Sequence, residues 1–195
     1  MDENARAPAR PASRPRQSTR RARAARRRPS RWPAALAATV VVVGAIVLLR
    51  VFVAEPFRIR SASMAPTFRP GDQVLVDKLA YRRADPRRGE LAVFHAPRSA
   101  QILLKRIVAV GGDTVAIEGG TLVVNGRRLL EPYVPRAGAG GSFGPVLVRR
   151  GTVFVLGDNR AVSEDSRAFG PVAPERLVGR VMARVWPPGR WGEPS

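Results

Sequence analysis

The chain of 195 residues carries 34 Lys and Arg against 15 Asp and Glu, a formal net charge of +19, with one histidine and no cysteine. Without cysteine there is no disulfide scaffold, thiolate nucleophile or thiolate metal site, and His95 alone cannot build a histidine-rich metal cluster. Any catalysis must therefore use oxygen or amine groups, and we expect neither a metal nor a cofactor. The charge would suit nucleic acid or an anionic membrane surface.

The first two segments are an Arg-rich tail and a long apolar run. Residues 1–32 contain eleven Arg with much Ala, Pro and Ser and no apolar period, which predicts a disordered tail. Residues 33–54 predict a transmembrane anchor, because about 21 apolar residues in a helix span about 31 Å, the thickness of the hydrocarbon core. A buried globular helix is one alternative. A cleaved signal peptide is the other, although Phe52 stands where its cleavage site needs a small residue.

The Arg-rich flank also predicts the orientation of this anchor. Positively charged flanks stay on the cytoplasmic side of a membrane. We therefore expect a single-pass protein of the cell membrane with a cytoplasmic N-terminus and an extracytoplasmic domain at residues 55–195. The densest positive charge then serves topology and attraction to anionic lipid. A lipid bilayer is thus an expected partner and nucleic acid is not, since the sequence lacks the basic and aromatic interleaving of a stacking surface.

Beyond Glu55 the pattern changes to short apolar alternations broken by Gly and Pro, which are typical of strands. The chain at 113–129 predicts a hairpin turning at Gly119 and Gly120, and the glycine-rich chain at 136–144 predicts a flexible loop. The domain should therefore be mainly β. The predicted strands are 57–61, 73–79, 90–96, 102–110, 114–119, 121–126, 145–150, 152–158 and 176–186.

Three stretches carry side chains suited to catalysis. RSASMAPTFRPGDQVLV, at 60–76, presents two serines among Pro and Gly breaks. The second stretch is the strand QILLKRIVAV, and the third, VLGDNRAVSEDSRAFGPV at 155–172, runs from a strand into a polar loop. Each also has a purely structural explanation, as a turn serine, a lysine whose ammonium reaches water, and a loop stabilised by Asx turns and charge pairs.

Lys105 is an unusual residue for this chain, which has 32 Arg but only two Lys, Lys78 and Lys105. Alternation along a strand puts Lys105 on the face of Leu103 and Ile107, in apolar packing. Lysine differs from arginine in being able to lose its proton. The pattern therefore leaves two roles open for Lys105. Its stem could simply lie on the edge of the core with the ammonium in water, or its amine could act as a base.

Together these stretches resemble the bacterial type I signal peptidases, membrane-anchored Ser/Lys endopeptidases that remove signal peptides from exported proteins. SASMAPTF matches the family's Ser-x-Ser-Met-x-Pro-Thr box, and GDQVLVDK, LAVFHAP, LKRIVAVGGD and GDNRAVSEDSRAFGPV follow in the family's order. The resemblance covers about residues 33–187, apart from a variable region at about 120–150. Two residues depart from the family: Ala161 stands where Asp is frequent, and Gly111 stands in place of Pro.

The resemblance implies roles for particular residues. Ser63 would be the nucleophile and Lys105 the general base, activated because burial lowers the pKa of its amine. His95 is a weaker alternative base, since no orienting acid is evident in the sequence. Residues implied to support the oxyanion and the dyad are Ser61, Ser163, Asp158, Asp165 and Arg167.

The resemblance also implies a fold and a substrate. The fold is a single N-terminal transmembrane helix followed by an extracytoplasmic antiparallel β-sheet catalytic domain of the signal peptidase and LexA-like type, with a small variable β insertion at about 120–150. The partners are preproteins bearing signal peptides, whose extended cleavage segment pairs with strand edges near 57–61 and 101–105.

Shallow apolar pockets would then admit only small residues, as in an Ala-x-Ala site. The residues implied to line them, each of which could equally be ordinary core, are Phe57, Ile59, Met64, Phe68, Val93 and Leu104. A self-cleaving LexA-type protein and a non-enzymatic anchored β module are the remaining alternatives. The anchor and the GDNR loop argue against the first, and the serines and lysine in family order argue against the second.

Overall fold

The computed structural model describes residues 32–135 and 141–192, so the predicted Arg-rich tail and most of the glycine-rich loop lie outside the described residues. Helix α1 spans Trp32–Phe52, and two short helices, α2 and α3, span Ala80–Arg83 and Ser166–Phe169. The strands in the described part are β1 Ala54–Arg58, β2 Gln73–Asp77, β3 Leu91–His95, β4 Ile102–Val110, β5 Thr114–Glu118, β6 Thr121–Val124, β7 Arg127–Arg128, β8 Phe143–Leu147, β9 Val153–Leu156 and β10 Leu177–Trp186.

Helix α1 coincides with the segment for which an anchor is predicted. Among the residues that the structure describes, no helix combines the length and the apolar character needed to cross a bilayer. The transmembrane anchor therefore stays a prediction of the sequence.

The larger sheet places its strands in the order β1-β2-β10-β3-β4-β9, and its neighbouring strands pair antiparallel. The last strand of the described residues, β10, thus lies between β2 and β3 in the middle of the sheet. Three apolar clusters pack around the two sheets. The prediction of a mainly antiparallel β domain is confirmed.

The smaller sheet has the order β7-β6-β5-β8. β5 and β6 form the hairpin expected at Gly119 and Gly120, whose φ angles of 54° and 84° favour glycine. β6, β7 and β8 fall within the region predicted to vary, whereas β5 precedes it. The chain after β7 returns toward the larger sheet, where the Tyr133 ring packs against Arg106 of β4.

β4 is the strand that positions the lysine. Its first half, residues 102–105, pairs with β3 on one side, and pairing with β9 on the other side begins only at Arg106. Residues 102–105 therefore keep one edge open within the described part of the chain. The outer edge of β1 is also open there, because β1 pairs only with β2.

Candidate active site

Ser63 and Lys105 lie in hydrogen-bonding contact. Ser63 follows β1 in a turn closed by a bond from the Ala65 N–H to the Ala62 carbonyl, and Lys105 projects from β4. The distance between Lys105 Nζ and Ser63 Oγ is 2.6 Å. Both residues are buried, with 7% of Ser63 and 2% of Lys105 exposed. A hydroxyl and an amine, 42 positions apart in the sequence, thus meet in a site almost closed to water.

Burial lowers the pKa of Lys105 from its ordinary 10.5 to about 8. Loss of hydration disfavours the ammonium and is the largest cause. The carboxylates of Asp165, Glu164 and Asp158 act in the opposite direction, and Arg167 again lowers the pKa. With this pKa about one tenth of the amine is neutral at pH 7, far more than for an ordinary lysine, and a proton acceptor requires the neutral form.

The two serines expected to support the dyad differ in what they contact. Ser61 Oγ lies 3.1 Å from Ser63 Oγ, and either hydroxyl could donate this hydrogen bond. Ser163 Oγ is buried and has no hydrogen-bond partner among the described residues. The expected hydrogen bond from Ser163 to Lys105 is therefore absent among the described residues. The Ser163 hydroxyl instead packs against Gly157, which also lies beside the Ser63 carbonyl.

Gly157 is a residue of the site that the sequence reasoning missed. A Cβ at this position would lie 2.2 Å from Ser163 Oγ and 2.5 Å from the Ser63 carbonyl oxygen, so no larger residue fits without displacement. The next loop residue but one, Asn159, donates its N–H to the same Ser63 carbonyl at 3.0 Å. The signal available in the sequence was the Gly-Asp-Asn tripeptide itself.

Asp158 joins the loop to β4. Its carboxylate accepts hydrogen bonds from Arg106 Nε at 3.0 Å and Nη2 at 2.8 Å, a bidentate pair in which both side chains are buried. Thr67 Oγ1 donates to the same carboxylate at 2.6 Å. Arg106 follows Lys105 directly, so adjacent residues of one strand supply the amine of the dyad and the anchor of its loop.

Asp165 and Arg167 form a second brace within the loop. Arg167 Nε donates to Asp165 Oδ1 at 2.8 Å, and Arg167 Nη2 donates to the Arg160 carbonyl at 2.8 Å. The other Asp165 oxygen accepts the Gly157 N–H at 3.1 Å. Asp165 also caps α3 by accepting the N–H of Arg167. These contacts hold the loop in shape without touching the dyad atoms.

A groove with a volume of about 750 Å³ runs between two strand edges, and its lining includes Ser61 and Leu104, the sequence neighbours of the dyad residues. Residues 56–61 form one wall and residues 100–104 form the other, which are the edges expected to bind an extended peptide. Of the expected pocket residues, Phe57, Ile59 and Leu104 line this groove.

The other expected pocket residues, Met64, Phe68 and Val93, are buried behind the groove in the apolar cluster that also contains Ile59 and Leu104. They thus belong to the core beneath the groove, and a direct contact with substrate stays a prediction.

His95 lies away from the dyad. It ends β3 and lines a separate cavity of about 740 Å³ together with Glu55, Tyr81 and Glu175. Within residues 32–135 and 141–192, no group of three or more His, Asp or Glu side chains is arranged to hold a metal ion. The groups present support proton transfer between an amine and a hydroxyl.

Comparison with known proteins gives consistent matches. The sequence profile of the family described as signal peptidase, peptidase S26, matches residues 32–186. A signal peptidase I of Mycobacterium tuberculosis is 36% identical over 228 residues, covering 87% of this chain and 77% of that protein. A probable signal peptidase I-2 of Synechocystis is 39% identical over 80% of this chain and 72% of its own length. The crystal structure of a signal peptidase I from Enterococcus faecalis V583 is 32% identical, covers 50% of this chain and 97% of that chain, and superposes with a TM-score of 0.44.

Proposed function

The chain belongs to the signal peptidase family, peptidase S26, whose members are serine peptidases that remove signal peptides, and we propose that it cleaves exported preproteins with Ser63 as nucleophile and Lys105 as general base. The observation that carries the proposal is the 2.6 Å contact between Lys105 Nζ and Ser63 Oγ. Lowering of the Lys105 pKa to about 8 by burial supports the same assignment, since only a neutral amine can accept the serine proton.

The first half of the reaction transfers the acyl group of the substrate to Ser63. Lys105 takes the Ser63 proton as Oγ attacks the scissile carbonyl, and the resulting oxyanion accepts hydrogen bonds from the Ser63 N–H and the Ser61 hydroxyl. The Ser61 hydroxyl, 3.1 Å from Ser63 Oγ, is near enough to serve this purpose. The Lys105 ammonium then gives its proton to the leaving amine nitrogen, and the C–N bond breaks.

The second half releases the signal peptide by hydrolysis. Neutral Lys105 removes a proton from a water molecule, whose oxygen attacks the ester carbonyl at Ser63. The ester C–O bond breaks, and Ser63 recovers a proton from the Lys105 ammonium. One amine thus serves both halves, so its pKa must lie close to the operating pH.

The groove between residues 56–61 and 100–104 supports an extended substrate. Main-chain hydrogen bonds to the two open strand edges would give affinity that does not depend on the substrate's sequence. Alternate substrate side chains would pack against the apolar wall formed by Phe57, Ile59 and Leu104. Close packing behind that wall excludes large residues near the cut, as expected for an Ala-x-Ala site.

Anchoring to the cell membrane completes the proposal. The apolar segment at 33–54 and the eleven Arg that precede it support one span with residues 55–195 outside the cytoplasm. This placement brings the groove to the surface from which an exported chain emerges. A protease added to spheroplasts should digest residues 55–195 and leave the tail protected. Protection of residues 55–195 would contradict the proposed orientation.

Cleavage of a precursor with an Ala-x-Ala site by the detergent-solubilised full chain tests the function. Ser63→Ala should abolish cleavage, and Lys105→Arg should lower the rate by several orders of magnitude because arginine cannot be deprotonated in a protein. Lys78→Arg is the matched control, since Lys78 pairs with Glu55 at a partly exposed site. Near-wild-type cleavage by Lys105→Arg would refute the mechanism.

A further inference from the structure

Shortly after β7, at Glu131 and Tyr133, the chain places an acidic and an aromatic side chain beside the loop at residues 157–167. Glu131 Oε1 accepts hydrogen bonds from Arg160 Nη2 at 2.6 Å and from Tyr133 OH at 2.9 Å. The Glu131 and Arg160 side chains are only 6% and 2% exposed. Burial and then Glu131 raise the pKa of Tyr133, so its hydroxyl keeps the proton that it donates. None of these contacts belongs to the mechanism described above.

Glu131 and Tyr133 reach two of the arginines that hold the loop at residues 157–167. Arg160 Nε donates to the Gly157 carbonyl at 3.1 Å. The ring of Tyr133 lies under the Arg106 guanidinium, with 3.7 Å between the guanidinium carbon and the ring centroid. Arg106 in turn holds Asp158 in its bidentate pair. Gly157 and Asp158 are thus held by two arginines, one of which pairs with Glu131 and the other of which packs on Tyr133.

The position of this loop determines the position of the nucleophile. The Gly157 α-carbon faces the Ser63 carbonyl so closely that a Cβ would be 2.5 Å away, and Asn159 donates its N–H to that same oxygen. A shift of the loop at Gly157 and Asn159 would therefore reach the Ser63 carbonyl through these contacts. Rates of reactions between positioned groups are sensitive to displacements of this kind.

We propose that Glu131 and Tyr133 form a clamp, the Glu131–Tyr133 clamp, that positions Ser63 against Lys105 by fixing Arg160 and Arg106. The inference rests on the proposed Ser63 and Lys105 reaction and assigns it two positioning residues from outside the larger sheet. Removing one partner of a buried ion pair costs stability, so the positioning role of the Glu131–Arg160 pair is measured as kcat per folded molecule. The segment after β7 thereby supports the reaction from outside both sheets.

Glu131→Gln tests the ionic half of the clamp in the full chain, with the Ala-x-Ala precursor as substrate. The change keeps the size of the side chain but removes the charge that pairs with Arg160. We expect kcat to fall about tenfold, or about 1.4 kcal/mol, while KM stays within about twofold, because the groove residues are untouched. Glu118→Gln is the matched control, since the Glu118–Arg128 pair of the smaller sheet is exposed and contributes little.

Tyr133→Phe and Tyr133→Leu test the aromatic half and keep the inference testable if Glu131→Gln does not fold. Phenylalanine retains the ring under Arg106 and loses only the hydroxyl, so kcat should stay within about threefold of the wild type. Leucine removes the ring as well, and kcat should fall by about tenfold, the factor that corresponds to a partly desolvated cation–π contact. A merely structural role would lower the folded fraction, measured by thermal unfolding, instead of kcat per folded molecule.

The outcomes separate this inference from the proposed function. If the wild type cleaves the precursor but Glu131→Gln and Tyr133→Leu match the Glu118→Gln control in kcat, the clamp is refuted. A change in KM as large as the change in kcat would also refute it. If the wild type does not cleave, or if Ser63→Ala still cleaves, the proposed function itself is wrong.

Discussion

Replacing Lys105 with methionine should make the protein more stable at neutral pH while abolishing its activity. Lys105 is 2% exposed, and burial lowers its pKa from 10.5 to about 8. At about 1.4 kcal/mol per pKa unit, keeping this ammonium charged in the fold costs about 3 kcal/mol. Methionine has a similar shape and no charge. After subtraction of about 1 kcal/mol for the lost hydrogen bond to Ser63, the net gain should be about 2 kcal/mol.

The gain should depend on pH in a defined direction. Unfolded lysine keeps its proton up to about pH 10.5 and folded Lys105 up to about pH 8, so between these values the unfolded state binds more protons. The free energy of unfolding of the wild type therefore rises with pH across this window, and the full penalty applies only below it. The advantage of Lys105→Met should shrink from pH 8 upward, be gone at about pH 9.5 and become a deficit of about 1 kcal/mol by about pH 10.5, where only the lost hydrogen bond remains.

Urea unfolding of the full chain in detergent, followed by circular dichroism at pH 7 and pH 10, measures this difference. Lys78→Met is the control, because Lys78 and its partner Glu55 are both partly exposed; it should show no pH-dependent gain. If Lys105→Met were no more stable than the wild type at pH 7, or if its gain were equal at both pH values, the Lys105 amine would not be held at a lowered pKa by burial.

Three further predictions follow from the same geometry. The kcat/KM of the wild type should rise with pH to a plateau above about pH 8, since neutral Lys105 is the proposed base, and His95→Ala should leave this limb in place; loss of the limb in His95→Ala would instead indicate an imidazole base. Gly157→Ala should lower kcat at least about tenfold, because its Cβ would lie 2.5 Å from the carbonyl oxygen of the nucleophile, and unchanged kinetics would contradict that packing. Asp158→Asn should reduce the free energy of unfolding by about 3–5 kcal/mol by leaving buried Arg106 without a carboxylate, measured by urea denaturation, and a loss below about 1 kcal/mol would show that the pair is solvated.

The strand pattern could be predicted from the sequence because it depends on local alternation. The predicted strands overlap β1 to β6 and β8 to β10 in the described part of the chain, while the two-residue β7 carries too short a pattern to detect. The start of β1 at Ala54 was missed, because it depends on pairing with Asp77 of β2 and not on apolar residues of its own. The position of β10 between β2 and β3 likewise arises from long-range pairing, which no local pattern encodes.

The residues that compose the site were easier to find than their contacts. Ser63 and Lys105 follow from the family boxes, and burial of Lys105 follows from its neighbours on the strand. Arg106, however, differs from surface arginines only by contacting Asp158, which is 52 positions away in sequence. Glu131 was missed for the same reason, since its partner comes from the far side of a variable segment. Ion pairs between distant residues leave no periodic signal.

The open edge of β1 has a consequence for the behaviour of the protein at high concentration. An exposed edge pairs with any extended chain, including the same edge of another molecule, and such pairing leads to aggregation. Pro56 has no N–H to offer a neighbouring strand, and exposed Arg58 places a charged side chain on this edge strand. The edge of β1 is therefore open to the extended substrate segment proposed above, while these residues oppose growth into an intermolecular sheet.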